Sequence, residues 1–483
     1  MALNIMKTCV TFNNPIPRLP EIRFKNSLNW TIKSGEQWAI IGPNGAGKTI
    51  ISDLLQGKFA LKEGEIIYNY PGKVSDIVKA IAFKDIHTIA DSRTTFYQQR
   101  WHSSESEGIP TIKDLLLKNC DKDSIRKLFI LFRIEEILNK KVIYLSSGEL
   151  RKFLIIRTLL THPHILILDN PFIGLDSASR ALLSEMLSQM TKLEGLHVIL
   201  LLSNPDDIPD MITDVLPVRD HTYDKPVSRE SFLQDRKLKK TLFPDLYTQF
   251  QLPKSTRCES NHTITFRMEK VNITYGSRAI LKGVDWEVKN GEKWALLGEN
   301  GSGKSTLLSL IYADNPQSYA NTLYLFDKKR GSGESIWDIK SRIGYVSPEM
   351  HLYYMENVPA LKIVGSGFFD SVGLYRKCNP VQESTAIEWM RTFGIESLKD
   401  RSFLTLSSGE QRLILLARAF VKDPDLLILD EPLHGLDTSN KHLARKIIED
   451  FCNRPGKTLV YVTHYTEEIP SCVKYQFKLE KIR

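Results

Sequence analysis

The sequence carries the same ordered set of motifs twice, and this repeat constrains the fold more than any other feature. A glycine-rich loop with Lys48 recurs around Lys304, 256 residues later, and an LSSGE segment with Gly148 recurs around Gly409, 261 residues later. A nearly constant offset between the copies predicts duplication of a whole folding unit. The 483 residues are enough for two such units, each with its own hydrophobic core.

Each glycine-rich loop lies between an apolar run and an apolar helix, which is the context of a phosphate-binding loop. Glycines let backbone N–H groups surround phosphate oxygens, the lysine reaches the outer phosphates, and the next hydroxyl is a ligand for Mg²⁺. The first loop is Gly42, Pro43, Asn44, Gly45, Ala46, Gly47, Lys48 and Thr49. The second is Gly298, Glu299, Asn300, Gly301, Ser302, Gly303, Lys304 and Ser305, followed by Thr306. We expect two nucleotide sites, with Thr49 and Ser305 as metal ligands.

The LSSGE segments each open a predicted amphipathic helix, whose unpaired N–H groups and dipole favour an anion. Their site residues are Ser146, Ser147 and Gly148 in the first copy and Ser407, Ser408 and Gly409 in the second. The apolar run Leu426 to Leu429 then predicts a buried parallel strand that delivers Asp430 and Glu431 at its carboxyl end. Such a pair can simply be a solvated strand end, but the phosphate loops favour a role with Mg²⁺ and water.

This order of motifs, with His464 following the acidic strand, resembles the nucleotide-binding cassette of ABC ATPases over nearly the whole chain. The resemblance implies an α/β fold of two fused ABC-type cassettes. Each is a P-loop, RecA-like mixed sheet with a β-subdomain and a helical signature subdomain. The expected bounds are 1–216 for the first cassette, 217–261 for a linker and 262–483 for the second. The resemblance also implies ATP and Mg²⁺ as ligands. It further implies head-to-tail pairing of the two halves in one monomer, with each phosphate loop completed by the other half's LSSGE segment.

The two copies differ in chemistry. In the second, the resemblance makes Asp430 a metal ligand and gives Glu431 the water-polarising role, while His464 contacts the γ-phosphate. In the first, Asp169 keeps the metal position, but Asn170 follows it and Asn204 stands in the place of His464. An amide cannot accept a proton as a carboxylate does. We therefore expect the first site to bind ATP and hydrolyse it poorly.

Two aromatic residues occupy the place where the family stacks an aromatic ring on adenine. Tyr275 is the candidate in the second copy, with an ordinary surface tyrosine as the alternative, and Phe12 is an open candidate in the first. A glutamine that the family carries after the next strand is missing, since Pro348 and Ile86 stand there. Its absence counts against conventional coupling to a membrane subunit.

The string from Arg330 to Lys340, which runs into RIGYVS, resembles the ModF-type tandem-cassette ATPases encoded with molybdate-transport genes. A plain surface loop is the alternative interpretation. The resemblance favours an ATPase that serves separate membrane permease subunits, with molybdate as the cargo. A soluble regulatory role, or a ribosome or nucleic-acid role, is the alternative. The linker, as a tether or an interaction arm, lacks the long charged heptads of the ribosome-acting relatives.

The net charge of +8 is spread along the chain, so no nucleic-acid partner is expected. Six scattered cysteines without a C-x-x-C pair favour a reducing cytoplasm and argue against a zinc site. The start of the chain does not resemble a secretory signal, and no apolar run approaches the ~20 residues of a membrane span. We expect a cytoplasmic protein, with peripheral attachment to the inner face of the membrane if a permease is its partner.

Overall fold

The computed structural model describes residues 7–83, 111–116, 128–129, 131–132, 134–141, 145, 147–175, 177–244, 250–255, 262–276, 278–299, 301–348, 350, 354, 357–371 and 376–482. The described residues up to 244 form one compact unit, and those from 250 onward form another. Within these ranges, no helix combines the length and apolar character needed to cross a bilayer.

The first unit contains two sheets. A three-stranded antiparallel sheet has the order β2-β1-β4. The larger sheet has the order β10-β8-β3-β7-β6-β5, with β9 paired to β8, and the strands from β8 to β5 are parallel. The strands are β1 Thr8–Pro17, β2 Asn29–Lys33, β3 Trp38–Ile41, β4 Leu61–Tyr68, β5 Val78–Ala82, β6 Ile165–Asp169, β7 His197–Leu202, β8 Asp214–Arg219, β9 Thr222–Tyr223 and β10 Val227–Ser228. The helices are α1 Lys48–Leu55, α2 Val74–Ile77, α3 Ile112–Leu116, α4 Ser147–Leu159, α5 Ser177–Met190, α6 Arg229–Gln234 and α7 Arg236–Leu242.

The second unit repeats this plan. Its antiparallel sheet has the order β12-β11-β14-β15, and its five-stranded parallel sheet has the order β16-β17-β18-β13-β19. The strands are β11 Ile264–Tyr275, β12 Arg278–Lys289, β13 Lys293–Leu297, β14 Thr322–Leu325, β15 Lys328–Lys329, β16 Ile343–Val346, β17 Leu426–Asp430, β18 Thr458–Val462 and β19 Tyr475–Lys478. The helices are α8 Lys304–Ile311, α9 Ile336–Ser341, α10 Ala360–Gly365, α11 Pro380–Thr392, α12 Ser408–Phe420 and α13 Thr438–Cys452.

The central strands are continuous apolar runs because both faces of each parallel sheet are covered. Every residue of β17 and of β18 is buried. In the second unit, α10, α11 and α12 pack around Trp389, Phe393 and Phe420, which form the core of the helical subdomain. The predicted fold class is confirmed: each unit combines a parallel core sheet with an antiparallel β-subdomain, and the described part of the second unit includes its helical subdomain. Most of the helical subdomain expected in the first unit lies outside the described residues.

The expected linker, 217–261, is divided between the two units where it is described. Its first part includes the end of β8, then β9, β10, α6 and α7, and it buries Phe232 and Leu242 in the core of the first unit. Its later part packs Phe250 and Leu252 against the second unit, where Ser255 donates a hydrogen bond of 2.6 Å to Asp423. This segment is partly helical and packed, as expected for a tether, and its expected bounds stay a prediction.

Candidate nucleotide-binding and hydrolysis site

Both phosphate loops join a core strand to a helix through a glycine in the left-handed backbone region. Gly47 has φ of 105° and precedes α1, and Gly303 has φ of 96° and precedes α8. A Cβ atom on Gly303 would lie 2.9 Å from a methyl group of Leu281, so both conformation and space require glycine there. The loops therefore present their backbone N–H groups at helix starts, as phosphate binding needs. Asn300, in the second loop, lies outside the described residues.

The two loop lysines are buried and turned back onto their own loops. Lys48 Nζ donates to the carbonyl oxygens of Gly42 at 2.7 Å and Pro43 at 2.8 Å. Lys304 Nζ donates to those of Gly298 at 2.6 Å and Glu299 at 2.9 Å. These hydrogen bonds hold each ammonium group inside its loop, at the place where a bound phosphate would contact it.

The strands β6 and β17 end in the same unusual backbone turn. Asn170 has φ of 48° and its N–H donates to Leu201 O at 2.9 Å, while Glu431 has φ of 46° and its N–H donates to Val462 O at 2.9 Å. A positive φ is uncommon for any residue with a side chain and tends to occur at functional positions. The two turns thus share one backbone conformation and differ in the side chain that it carries.

Glu431 is flanked by two imidazoles. His464 Nε2 lies 3.0 Å from Oε1 of Glu431, and His434 Nδ1 lies 3.9 Å from Oε2. Burial alone would raise the pKa of Glu431, but the hydrogen bond with His464 and the electrostatic effects of His434, His464 and Arg412 lower that pKa to about 2. The structure brings the predicted pair Glu431 and His464 together. It adds His434, which the sequence did not single out.

Arg412 holds the backbone of this turn, and sequence reasoning missed it as well. Its guanidinium is buried on α12 and donates to carbonyl oxygens of two segments, one that precedes α12 in the chain and one that follows it. The acceptors are Ser347 at 2.7 Å, Asp430 at 3.0 Å, Pro432 at 3.1 Å and Glu431. Burial lowers the pKa of Arg412 to about 10, partly offset by the charges of Glu431 and Asp430. The sequence offered one signal for this role, since Arg412 is a charged residue one turn into an otherwise apolar face of the helix. Its partners, up to 65 residues away, could not be read from the chain.

In the first unit the corresponding amides serve local structure. Asn170 Nδ2 donates to Oδ1 of Asp169 at 2.9 Å. Asn204 Oδ1 accepts from the N–H of Asp206 at 3.2 Å and caps the 3₁₀ turn Pro205–Asp207. Neither side chain is a base, and each has a hydrogen bond within three residues.

The second LSSGE segment begins a helix with a complete capping box. Ser407 Oγ accepts from the N–H of Glu410 at 3.3 Å, and Glu410 Oε2 accepts from the N–H of Ser407 at 2.7 Å. Ser408 is the first residue of α12 and Gly409 is buried. In the first copy, Ser147 begins α4 and a Cβ on Gly148 would lie 3.0 Å from Ser179 Oγ. Ser146 lies outside the described residues, as does the side chain of Ser147.

The two aromatic candidates differ in environment. Tyr275 is partly buried at the end of β11, and its hydroxyl accepts from Asn315 Nδ2 at 3.0 Å. Phe12 is 1% exposed and packs on Trp30 with a ring separation of 5.2 Å. Phe12 therefore has no face for adenine, and that candidate is withdrawn. A different aromatic, Phe24, lies beside the first phosphate loop, 3.4 Å from the position of a Cβ on Gly47.

The donors available to Mg²⁺ are a hydroxyl and a carboxylate in each unit, at Thr49 and Asp169 and at Ser305 and Asp430. Among the described residues there is no cluster of three or more His, Cys, Asp or Glu side chains that would hold a metal alone. Oxygen donors in small number fit Mg²⁺, which usually keeps several waters and binds together with substrate phosphates. The donor set fits the ion that the fold implies.

Comparison with known proteins supports the same interpretation of both units. The ABC transporter family model matches residues 25–173 and 281–434. The chain is 34% identical over 476 residues to the ABC transporter ATP-binding protein ModF of Escherichia coli, covering 95% of this chain and 94% of that protein. It is 30% identical over 469 residues to an uncharacterized ABC transporter ATP-binding protein of Schizosaccharomyces pombe, covering 93% of each.

Solved structures with the same fold include an archaeal ribosome recycling factor, aABCE1, in complex with the ribosomal stalk protein aP1. The TM-score is 0.55 at 17% identity, covering 96% of this chain and 87% of that one. A structure described as RNase-L inhibitor has a TM-score of 0.52 at 17% identity, covering 92% and 83%. At this identity the likeness concerns the fold alone. The family model on both units and the full-length match to ModF establish that the chain belongs to the ABC ATPases, as a tandem-cassette ATP hydrolase.

Proposed function

We propose that this ATPase hydrolyses ATP mainly at the site built on the second cassette's phosphate loop. The observation that carries the proposal is a difference between the two strand ends. In the second cassette the carboxylate of Glu431 lies 3.0 Å from His464, whereas in the first the amide of Asn170 donates a hydrogen bond to Asp169. The second cassette pairs a base with an imidazole at the end of its acidic strand, whereas the first has an amide at each of these two positions.

Each residue of the second site has a role that its chemistry supports. Lys304 and the loop N–H groups bind the outer phosphates of ATP. Glu431 orients and polarises the attacking water, and His464 moves from the carboxylate to the γ-phosphate when substrate binds. Ser305 and Asp430 would hold Mg²⁺, which neutralises phosphate charge when bound. Tyr275 offers its ring to adenine.

The first cassette binds ATP as a long-lived ligand in this proposal. Lys48, Thr49 and Asp169 supply the same phosphate and metal contacts, so affinity is retained. By resemblance to the family, the LSSGE segment of each cassette completes the nucleotide site of the other. One chain then carries two complete ATP sites as a monomer.

We infer a role associated with transport from the relative named ABC transporter ATP-binding protein ModF, with a molybdate-like cargo carried over from the resemblance alone. A separate permease would be the partner, and the protein would then bind the inner face of the membrane from the cytoplasm. A regulatory ATPase, or a ribosome-associated one, without a permease is the second candidate. The second candidate is favoured by Pro348, which stands where the family has a glutamine. The neighbouring residue, Ser347, accepts a hydrogen bond from Arg412 through its carbonyl oxygen.

Two measurements test the proposal. Glu431→Gln should lower steady-state turnover about a hundredfold, the usual size of a general-base contribution, and leave ATP affinity within a few fold. Turnover within twofold of the parent protein would refute the assignment of the base. Capture of the tagged protein from mildly solubilised cells then separates the roles: a co-purifying permease supports transport, and ribosomes or neither support the second candidate.

A further inference from the structure

We propose that His434 is a positioning residue that orients the carboxylate of Glu431 during ATP hydrolysis. The inference rests on the proposed function, in which Glu431 is the base of the second site. His434 faces Oε2 of Glu431 at 3.9 Å, while His464 meets Oε1 at 3.0 Å. The two carboxylate oxygens therefore each have their own imidazole.

The backbone around Glu431 is already fixed, so the freedom that remains is that of the carboxylate. The N–H of Glu431 donates to Val462 O at 2.9 Å, and its carbonyl accepts from Arg412 and from the N–H of His434 at 3.1 Å. Rotation about the terminal bond of a glutamate side chain has only shallow preferences. A carboxylate is directed at a water only if neighbouring groups hold its oxygens.

The geometry at His434 suits such a neighbour. Its side chain is 26% exposed, against 7% for His464, and it lies on the same short turn as the base. A separation of 3.9 Å is longer than a hydrogen bond. Contacts of catalytic groups are often long before substrate binds and tighten in the complex.

His464 cannot serve two groups at once. When it turns to the γ-phosphate, Oε1 of Glu431 loses its partner. His434 remains beside Oε2 and keeps the carboxylate in line. Its effect should therefore fall on the chemical step and leave ATP binding unchanged.

The first cassette supplies an internal comparison. The residue 261 positions before His434 is Ile173, just as Asn170 matches Glu431. Ile173 contributes its carbonyl oxygen, which accepts from Arg151, and its side chain has no polar atom. The imidazole at this place thus occurs in the half that keeps the base and is replaced in the half that has lost it.

The test compares His434→Ile, which installs the first cassette's residue, with His434→Gln, which keeps a donor near Oε2. We expect His434→Ile to lower kcat about tenfold or more, with the KM for ATP within twofold, and His434→Gln to recover part of that loss. The matched control Ile173→His should leave kcat within twofold. A double variant with Glu431→Gln, followed in single-turnover assays, should be no slower than Glu431→Gln alone, because His434 acts through that carboxylate.

Three results would overturn the role of His434: unchanged kcat in His434→Ile, an effect confined to KM, or a further loss in the Glu431→Gln background. If His434→Ile melts below the parent protein, the test rests on His434→Gln, which must fold and show a kcat loss without a KM change. Unchanged turnover in Glu431→Gln would instead refute the proposed function itself. A loss with Glu431→Gln and none with either His434 variant refutes the positioning role alone.

Discussion

The side-chain amide of Asn170 donates a 2.9 Å hydrogen bond to Oδ1 of Asp169, its neighbour in the first cassette. Asp169, the expected Mg²⁺ ligand of this site, thus accepts a hydrogen bond from Asn170, the residue at the position of the base. In the function proposed above, phosphate binding through Lys48 is kept in the first cassette, whereas Asn170 and Asn204 do not supply the base and the imidazole that activate water. We therefore expect ATP binding and ATP hydrolysis to be separable by substitution.

Protein incubated with ATP and Mg²⁺ and then desalted should retain up to about one unhydrolysed ATP per chain if, as proposed, the first site binds ATP without turnover. Chromatography of the quenched nucleotide measures it. Lys48→Ala should abolish the retained ATP, since it removes the phosphate contact of that site. Lys304→Ala should stop turnover and leave the retained ATP in place. Release of all nucleotide as ADP, with two equal turnovers per chain, would contradict the asymmetry.

Hydrolysis at the first site should be recoverable by restoring both missing groups. In a Lys304→Ala background, which silences the second site, Asn170→Glu with Asn204→His should raise phosphate release at least about tenfold, since general-base catalysis is commonly worth more than that. Asn204→His also removes the cap on the turn Pro205–Asp207, worth about 1 kcal/mol, so melting temperature is the accompanying control. Equal rates in the double variant and in Asn170→Glu alone would mean that the imidazole is dispensable.

Gly148→Asp should reduce turnover much more than Gly409→Asp, if the first LSSGE segment serves the hydrolysing site. A carboxylate there repels the γ-phosphate at a helix start that normally favours anions. Because any Cβ on Gly148 approaches Ser179 Oγ to 3.0 Å, Gly148→Ala is the steric control and should retain more activity than Gly148→Asp. The opposite ranking of the two Asp variants would disprove the head-to-tail assignment.

Arg412→Met should destabilise the region from α12 to β17, because four carbonyl oxygens, three of them in buried hydrogen bonds, lose their common donor. We expect a loss of about 3 kcal/mol or more in local opening free energy. Hydrogen exchange of peptides covering residues 408–431 measures that quantity. Arg391→Met is the matched control: its pair with Glu396 lies on the surface, where solvent screening should leave protection almost unchanged. Similar protection in both variants would rule out Arg412 as the brace of this turn.

The elements that the sequence predicted well are those determined by local pattern. The strand expected from Leu426 is β17, and the helix expected to open at the second LSSGE segment is α12, which begins at Ser408. Continuous apolar runs and capping residues are encoded within a few neighbours. The resemblance to ABC ATPases placed the acidic pair and His464 in one site, and the structure shows why: the strands that precede them, β17 and β18, are adjacent and parallel.

The residues that were missed depend on contacts between distant parts of the chain. Arg412 donates a hydrogen bond to Ser347, 65 residues away in the sequence. Phe24 lies beside Gly47 only because the chain folds back between them. Phe12 could not be decided from the sequence for the same reason, since its place in the motif does not show that Trp30 packs against it. A single sequence reveals residue types and spacing, and the choice between core and site is made by tertiary packing.

The shared left-handed turn at Asn170 and Glu431 has a consequence for how the two halves diverged. Asparagine is among the residues that best tolerate positive φ, while glutamate has no such preference. At this backbone angle the first cassette carries a residue that fits with less strain than the glutamate of the second cassette. We therefore expect the carboxylate of Glu431 to carry a cost in folding free energy that an asparagine at the same backbone angle avoids.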